Sequence, residues 1–251
     1  MDQNLFEYLL RLGDNGLVLG HRLSEWCGKA PILEEDIALS NIALDLIGQT
    51  RLWLELASEV EDKERTSDDL AFLRDVWDFR NLLLLERPNT DFGVTMMRQF
   101  LFDAFHLPLL ENLKTSSDHR IKEIAQKSFK EVSYHLERSS DTVIMLGDGT
   151  QESHHRMQSA LDRLWPYTGE MFVDDPVEID LKARAIAPLA SEIRPVWEAT
   201  IERVFSEATL NIPDSQFSHK GGKDGRQHSE HLGHMLATMQ FLQRSYPGAN
   251  W

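Results

Sequence analysis

The chain has 251 residues, with 26 Lys and Arg against 41 Asp and Glu and a formal net charge of −15. Its length suits one large domain, and we expect a single domain over residues 1–251. The acidic balance would repel a phosphate backbone, which excludes nucleic acid as a partner. No apolar run approaches the ~20 residues of a membrane span and the start lacks a signal-peptide pattern, so we expect a cytoplasmic protein without membrane contact.

Apolar residues recur at three- and four-residue steps through most of the chain, and alternating Val- and Ile-rich runs are nearly absent. This periodicity predicts an all-α protein. The second and fourth predicted helices are apolar nearly all round, as in helices enclosed by neighbours. The single cysteine, Cys27, permits no internal disulfide and is expected to be buried. The predicted helices span residues 3–27, 34–60, 68–85 (continuous or broken), 91–115, 118–146, 150–171, 180–207 and 227–245.

Each long helix also carries polar side chains that would need partners across a bundle, because a buried ionisable group is costly unless it is paired. Helical bundles that hold two irons use such positions, with a Glu from each of two helices and a Glu-x-x-His pair from each of two others. The polar pairs, in helix order, are His21 with Glu25, Asp45 with Gln49, Asp103 with His106, and Glu131 with His135.

The fifth predicted helix departs from the iron-binding pattern in the stretch "FKEVSYHL", residues 129–136. His135 is present, but the residue three before it is Val132. At ~100° per residue, Val132 lies well inside the apolar stripe of this helix and Glu131 near its edge. The inward position of a carboxylate ligand is therefore expected to belong to valine.

The second helix departs from the same pattern, because Asp45 is followed three residues later by Gly48. The nearest substitute for an imidazole is Gln49, which is a poorer iron ligand than histidine. Only Asp103 and His106 keep the spacing of three residues.

Three interpretations of these polar residues are open. The first is a metal-free network that gives the helices their register. The second is a complete di-metal site, and the third is a mononuclear site formed by Asp103, His106 and His135. The pattern favours the metal-free network.

A second cluster lies near the C-terminus, where His228, His231 and His234 follow at steps of three on a predicted helix, with Glu230 among them. Such a row could hold Zn²⁺ or Ni²⁺ if a fourth ligand were supplied. The alternative is a set of surface histidines beside the glycine-rich loop that precedes them.

Several long motifs carry a family resemblance, in order, over nearly the whole chain: "LRLGDNGLVLGHRLSEWCG" (residues 10–28), "DIALSNIALDLIGQTR" (36–51), "NLLLLERPN" (81–89) and the tail "GGKDGRQHSEHLGHMLATMQFLQRSYPGANW". They resemble the C-subunit family of bacterial phenylacetyl-CoA epoxidase. The resemblance implies a ferritin-like four-helix bundle core with additional helices, in a multicomponent monooxygenase that forms a ring 1,2-epoxide during phenylacetate catabolism.

The resemblance also implies how work is divided in such a complex. The A subunit holds the di-iron site and binds the thioester, and a reductase with FAD and an iron–sulfur cluster passes electrons from NADPH. The C subunit pairs with the A subunit as a structural, non-catalytic component of the hetero-oligomer and has no cofactor of its own. The alternatives are a di-iron oxygenase or oxidase with its own metal site, and a stand-alone ferritin-like protein.

The metal ligands of the catalytic paralogue can be placed on this chain through the resemblance. The carboxylates of the first and third bundle helices fall at Glu25 and Asp103, which are retained. The first Glu-x-x-His pair falls at Leu46 and Gln49, where both ligands are lost.

The second Glu-x-x-His pair falls at Val132 and His135, so half of the six ligand positions are lost. Asp45 and Glu131 each directly precede a lost carboxylate. The resemblance therefore implies no catalytic residue and no metal ligand in this chain. What remains is a vestigial polar centre, made up of Glu25, Asp45, Gln49, Asp103, His106, Glu131 and His135.

Overall fold

A computed structural model describes residues 1–249 of the chain, which contain ten α-helices, five short 3₁₀ segments and no strand. This confirms the all-α, ferritin-like fold class. The described chain separates into two compact units, unit 1 from residues 1–88 with the segment from Lys220 onwards, and unit 2 from residues 89–219. The single-domain organisation stays a prediction. Within the described residues, no helix has the length and apolar character needed to cross a bilayer.

Unit 1 is built on a hairpin of two long helices, whose close approach is permitted by glycines on the first. A Cβ atom at Gly13 would lie 2.6 Å from Leu54 Cδ2, and one at Gly16 would lie 2.7 Å from Thr50 Oγ1. The Thr50 hydroxyl donates to the Gly13 carbonyl at 3.1 Å, which ties the two backbones together. The helices of this unit are α1 (Gln3–Ser24), α2 (Leu33–Glu61), α3 (Ser67–Phe72), α9 (Glu230–Met239) and α10 (Phe241–Ser245), with 3₁₀ segments at Val76–Asp78 and Leu83–Glu86.

Unit 2 is built on a second hairpin of long helices, α4 (Phe92–Leu113) and α5 (His119–Gly147), against which α6 (Gln151–Leu164) and α8 (Arg194–Glu207) pack. Asp91 and Asp118 cap the N-termini of the two long helices, accepting hydrogen bonds from backbone N–H groups of the first turn. The indole of Trp197 donates to the Leu101 carbonyl at 3.0 Å and fixes α8 on α4. The short helix α7 (Pro176–Ala183) lies between α6 and α8 in the sequence.

Two predicted helices in unit 1 were wrong in extent. The predicted helix over residues 68–85 is α3 alone, six residues long, followed by the 3₁₀ segments. It stops because the Arg74 guanidinium donates to the carbonyls of Leu70 and Asp78, which ends the helical hydrogen-bond ladder. The helix expected over 227–245 begins at Glu230 and is interrupted at Gln240. Cys27, expected to be buried, is exposed in the turn after α1.

Two predicted helices in unit 2 were also too long. The helix over 150–171 ends at Leu164 and continues only as 3₁₀ turns, because Pro166 has no backbone N–H to donate. The helix over 180–207 is two helices, separated where Ala185 takes a left-handed conformation with φ of 55°. The Ile186 N–H bonds to the Leu181 carbonyl at 2.9 Å in a Schellman-type cap that ends α7.

Replacing Ala185 with glycine is expected to stabilise the chain by up to about 1 kcal/mol, because glycine adopts the left-handed conformation without the Cβ penalty that alanine carries. Ala187, two residues on, is buried and lacks a positive φ, so Ala187→Gly should destabilise by about 1 kcal/mol. Urea unfolding of both variants measures the contrast. Equal losses in the two variants would show that Ala185 carries no strain.

Candidate functional site

The buried polar centre of unit 2 is organised around Asp103 on α4, which is fully buried. One carboxylate oxygen accepts a hydrogen bond from Gln99 Nε2 at 2.7 Å, and the other accepts from Ser139 Oγ at 2.8 Å. Gln99 lies one turn before Asp103 on the same helix, whereas Ser139 lies on α5. Both oxygens are thus engaged by neutral donors, and the second bond joins the two long helices of the unit.

Burial sets the charge of this centre. It raises the pKa of Asp103 to about 7, against the opposing influence of nearby His135, Ser139 and Gln99. Burial also lowers the pKa of His106 to about 3, and His135 lowers it further. His106 is therefore neutral at physiological pH. Its Nδ1 has no hydrogen-bond partner within residues 1–249, and its ring packs 5.0 Å from that of Phe102.

On α5 the inward positions are held by Val132 and His135, both fully buried, while Glu131 is half-buried. This is the placement that the helical periodicity predicts. The position one turn before His135 is therefore held by an apolar side chain inside the core of unit 2. The hydrogen-bond donors to Asp103 are the Gln99 amide and the Ser139 hydroxyl, and His135 acts on the pKa of Asp103 through its charge.

In unit 1 the predicted site residues have different surroundings. Glu25 caps the end of α1, is exposed, and accepts from Arg22 Nη1 at 2.7 Å. Asp45 is half-buried on α2, whereas Gln49 is buried at 3% exposure. Leu46, at the mapped carboxylate position, is fully buried. The structure therefore places Glu25 in a partly solvated salt bridge.

Ferritin-like bundles that hold two irons need a particular set of donor side chains. Across residues 1–249, no group of three or more His, Cys, Asp or Glu side chains is arranged so that it could hold a metal ion. A di-iron bundle centre takes about four carboxylates and two histidines. Valine and leucine occupy two of the mapped carboxylate positions, and the oxygens of Asp103 already accept from Gln99 and Ser139. These residues do not fit a di-iron centre, and the absence of a bound metal stays a prediction for metal analysis.

A buried carboxylate in unit 1 was missed by sequence reasoning. Glu86 is fully buried and accepts from Asn81 Nδ2 at 3.1 Å, from His228 Nδ1 at 2.6 Å and from the Ser229 backbone N–H at 2.6 Å. The other ring nitrogen of His228 lies 3.2 Å from the Phe79 carbonyl. The one signal for this cluster was a glutamate ending a run of four leucines. Through its bonds to His228 and Ser229, Glu86 anchors the segment that precedes α9.

The prediction that the C-terminal histidines lie in a row on one helix is wrong. His228 precedes α9 and turns towards Glu86, so the three histidines do not share one helix. His231 is half-buried and His234 is exposed on α9 itself, with Glu230 exposed at its first turn. A metal-binding row at steps of three is therefore not formed.

Comparison with known proteins adds the following similarities. Residues 1–251 match the model of the family described as phenylacetic acid catabolic protein. The chain is 48% identical over 247 residues to the C subunit of 1,2-phenylacetyl-CoA epoxidase from Escherichia coli (strain K12), covering 98% of this chain and 99% of that protein. The match spans both units.

Proposed function

Because the chain belongs to the phenylacetic acid catabolic protein family, we propose that it is the non-catalytic, structural C subunit of a 1,2-phenylacetyl-CoA epoxidase. In this function it pairs in the cytoplasm with the di-iron catalytic A subunit and stabilises the active conformation of that subunit. The epoxidase takes its electrons from NADPH through the FAD and iron–sulfur reductase. The chain itself supplies no cofactor ligand.

The observation that carries this proposal is the full burial of Val132 one turn before His135. A metal centre would need a carboxylate there, and introducing one without a metal would leave a buried charge unpaired. The hydrogen bonds of Asp103 to Gln99 and Ser139 support the same function, because they satisfy the remaining carboxylate without an ion.

The proposal is tested by metal analysis of the purified chain after expression in iron-rich medium. We expect well under one iron per chain, with the catalytic subunit purified in parallel as the positive control. A content of about two irons per chain, abolished by Asp103→Asn, would instead support the di-iron oxygenase or oxidase.

Co-expression with the catalytic subunit tests the pairing. The two chains should co-elute as one complex in gel filtration, and epoxidation of phenylacetyl-CoA should require the catalytic subunit. A chain that remains separate from the catalytic subunit at micromolar concentration, and assembles only with itself, would support the stand-alone ferritin-like protein.

A further inference from the structure

His228 in unit 1 has a hydrogen-bond acceptor at each of its two ring nitrogens. Its Nδ1 lies 2.6 Å from Glu86 Oε1, and its Nε2 lies 3.2 Å from the Phe79 carbonyl oxygen. A neutral imidazole has one N–H group, whereas carboxylate and carbonyl oxygens only accept hydrogen bonds. A neutral ring beside an ionised Glu86 would therefore leave one ring nitrogen facing an acceptor with no proton between them.

Burial makes such a missing proton costly. The side chains of His228 and Glu86 are 1% and 0% exposed, so bulk water cannot replace a lost hydrogen bond. A second proton in the 2.6 Å contact satisfies both nitrogens, because Nε2–H then donates to Phe79 while the second proton joins Nδ1 to Glu86. The second proton belongs to the pair of side chains, whichever of the two atoms is nearer to it.

Two arginines lie next to this pair. Arg80 Nη1 donates to the Phe79 carbonyl at 2.9 Å, and Arg22 Nη2 donates to the Glu86 backbone carbonyl at 2.8 Å. Each arginine has a carboxylate partner of its own, which leaves Glu86 as the charge partner of His228. The carboxylate partners, both at 2.7 Å, are Glu7 and Glu25. The other ionisable side chains within three residues of Phe79, Glu86 or His228 are exposed or half-buried, and they are Asp78, Arg87, Arg226, Glu230 and His231.

The pair fixes the junction between the glycine-rich loop, residues 220–227, and α9. Glu86 Oε2 accepts from the Ser229 backbone N–H at 2.6 Å, so one carboxylate holds two successive residues of the chain. The loop before them packs closely, since a Cβ at Gly222 would lie 2.5 Å from the Asn81 carbonyl oxygen. The loop is therefore closed on unit 1 next to the point that Glu86 holds.

The other end of α9 is held without a titratable proton. The Gln240 amide donates to the Ala71 carbonyl at 3.2 Å and to the Arg74 carbonyl at 3.0 Å. These bonds do not change with pH, because the amide neither gains nor loses a proton. Of the two ends of α9, the one beside the glycine-rich loop is therefore the end that depends on a proton.

We infer that Glu86 and His228 form a proton-dependent latch on the glycine-rich loop. The latch is closed while the pair holds its second proton, which keeps Ser229 against Glu86. Loss of that proton releases His228 and Ser229, and the loop opens while Gln240 keeps the far end of α9 in place. The closed state binds one proton more than the open state, so closure is favoured at low pH and is lost as pH rises.

Limited trypsin digestion of the full chain measures the opening of the loop. Lys223 is 7% exposed, so trypsin reaches it when the loop opens. Lys29, exposed in the turn after α1, is the reference, and the ratio of the two cleavage rates cancels the pH dependence of trypsin itself. Cleavage after Arg51, in the middle of α2, reports unfolding of unit 1 as a whole. The control variant is His119→Gln, which removes an exposed histidine 3.3 Å from Glu123 on α5.

We expect the ratio to rise at least about tenfold from pH 6 to pH 9 without cleavage after Arg51, because one charge-assisted hydrogen bond is lost and cleavage follows the open population. In Glu86→Gln the ratio should change by no more than about twofold. Its amide donates to Nδ1 of a neutral His228 and still accepts from Ser229, so no second proton is needed. The control should keep the wild-type rise.

NMR of the histidine ring nitrogens in the full chain gives a second measurement. At pH 6 the wild-type His228 should carry a proton on Nε2, and a second, strongly hydrogen-bonded proton should lie between Nδ1 and Glu86. The second proton should be lost by pH 9. In Glu86→Gln it should be absent at both pH values, because the ring is then neutral throughout.

Three results would overturn the inference. A wild-type ratio that stays constant from pH 6 to pH 9 would show that the loop does not respond to a proton. An equal rise in Glu86→Gln would show that another group controls opening. Absence of the second proton between His228 and Glu86 at pH 6 would remove the latch itself, and this measurement decides even if Glu86→Gln does not fold.

Discussion

Replacing Arg74 with methionine is expected to destabilise the protein by about 3–5 kcal/mol, because it leaves the fully buried Asp14 carboxylate without its charge partner. Arg74 donates to both oxygens of Asp14, and its guanidinium lies 4.4 Å from the centre of the Phe79 ring. The Arg80 backbone N–H also donates to Asp14, at 2.8 Å. One ion pair thus holds the segment after α3 against α1.

The matched control is Arg203→Met, which removes the exposed i,i+4 pair with Glu207 and should cost no more than about 0.5 kcal/mol. Adding Asp14→Asn to Arg74→Met should recover at least about 1 kcal/mol, because the buried charge is gone and the amide oxygen still accepts from Arg80. Urea unfolding measures all three. A cost for Arg74→Met no larger than that of the control would show that this pair does not anchor the segment.

The second large expected effect is on the pH dependence of stability, through the buried side chains of Asp103 and His106 in unit 2. The pKa of Asp103 in the folded chain, about 7, lies above its ordinary value of 3.8, so the stability it contributes is complete below pH 4 and is lost as pH rises to 7. The pKa of His106, about 3, lies below its ordinary value of 6.5, so its contribution is present above pH 6.5 and is lost as pH falls. Between pH 4 and 6.5 the two contributions to the free energy of unfolding change with pH in opposite directions, so their sum stays constant.

Replacing Asp103 or His106 alone should reveal the pH dependence of stability that the other group contributes. In Asp103→Asn only His106 titrates, so stability relative to the wild type should fall by about 3 kcal/mol from pH 6.5 to pH 4. In His106→Gln only Asp103 titrates, and stability should fall by a similar amount from pH 4 to pH 6.5. Because each value is a difference from the wild type at the same pH, the titration of groups that do not interact with Asp103 or His106 cancels.

The double variant Asp103→Asn/His106→Gln is the control for the pH series, and its difference from the wild type should be independent of pH between pH 4 and 6.5. Free energies of unfolding from urea titrations at pH 4, 5, 6 and 7 give the profiles. If both single variants ran parallel to the wild type, the two groups would not be buried in the protonation states that the structure requires.

The long helices could be predicted from the sequence because the apolar periodicity that indicates a helix is a local pattern. Apolar residues three and four positions apart share a face whatever lies beyond the helix, so α1, α2, α4 and α5 begin and end close to the predicted positions. The errors fall where a distant contact or a backbone conformation intervenes. Arg74 ends α3 by hydrogen-bonding to carbonyls on either side of it, and Ala185 ends α7 in a conformation that alanine rarely adopts.

The polar centre was predictable in part for the same reason. The burial of Val132 and the edge position of Glu131 follow from the helical period alone. The bond from Ser139 to Asp103 joins residues 36 positions apart, and no pattern within one helix specifies it. Glu86 and His228, 142 positions apart, were missed because each looks ordinary in its own segment.

By itself the sequence determined the all-α class, the long helices, the inward valine at residue 132 and the family to which the chain belongs, since all four depend on residue identities along short stretches or on long ordered matches. Only the tertiary structure decided which polar groups meet, and that Cys27, Leu33 and Leu44 are exposed. The physical reason is that burial and hydrogen-bond partners are properties of the packed chain, set by segments far apart in sequence.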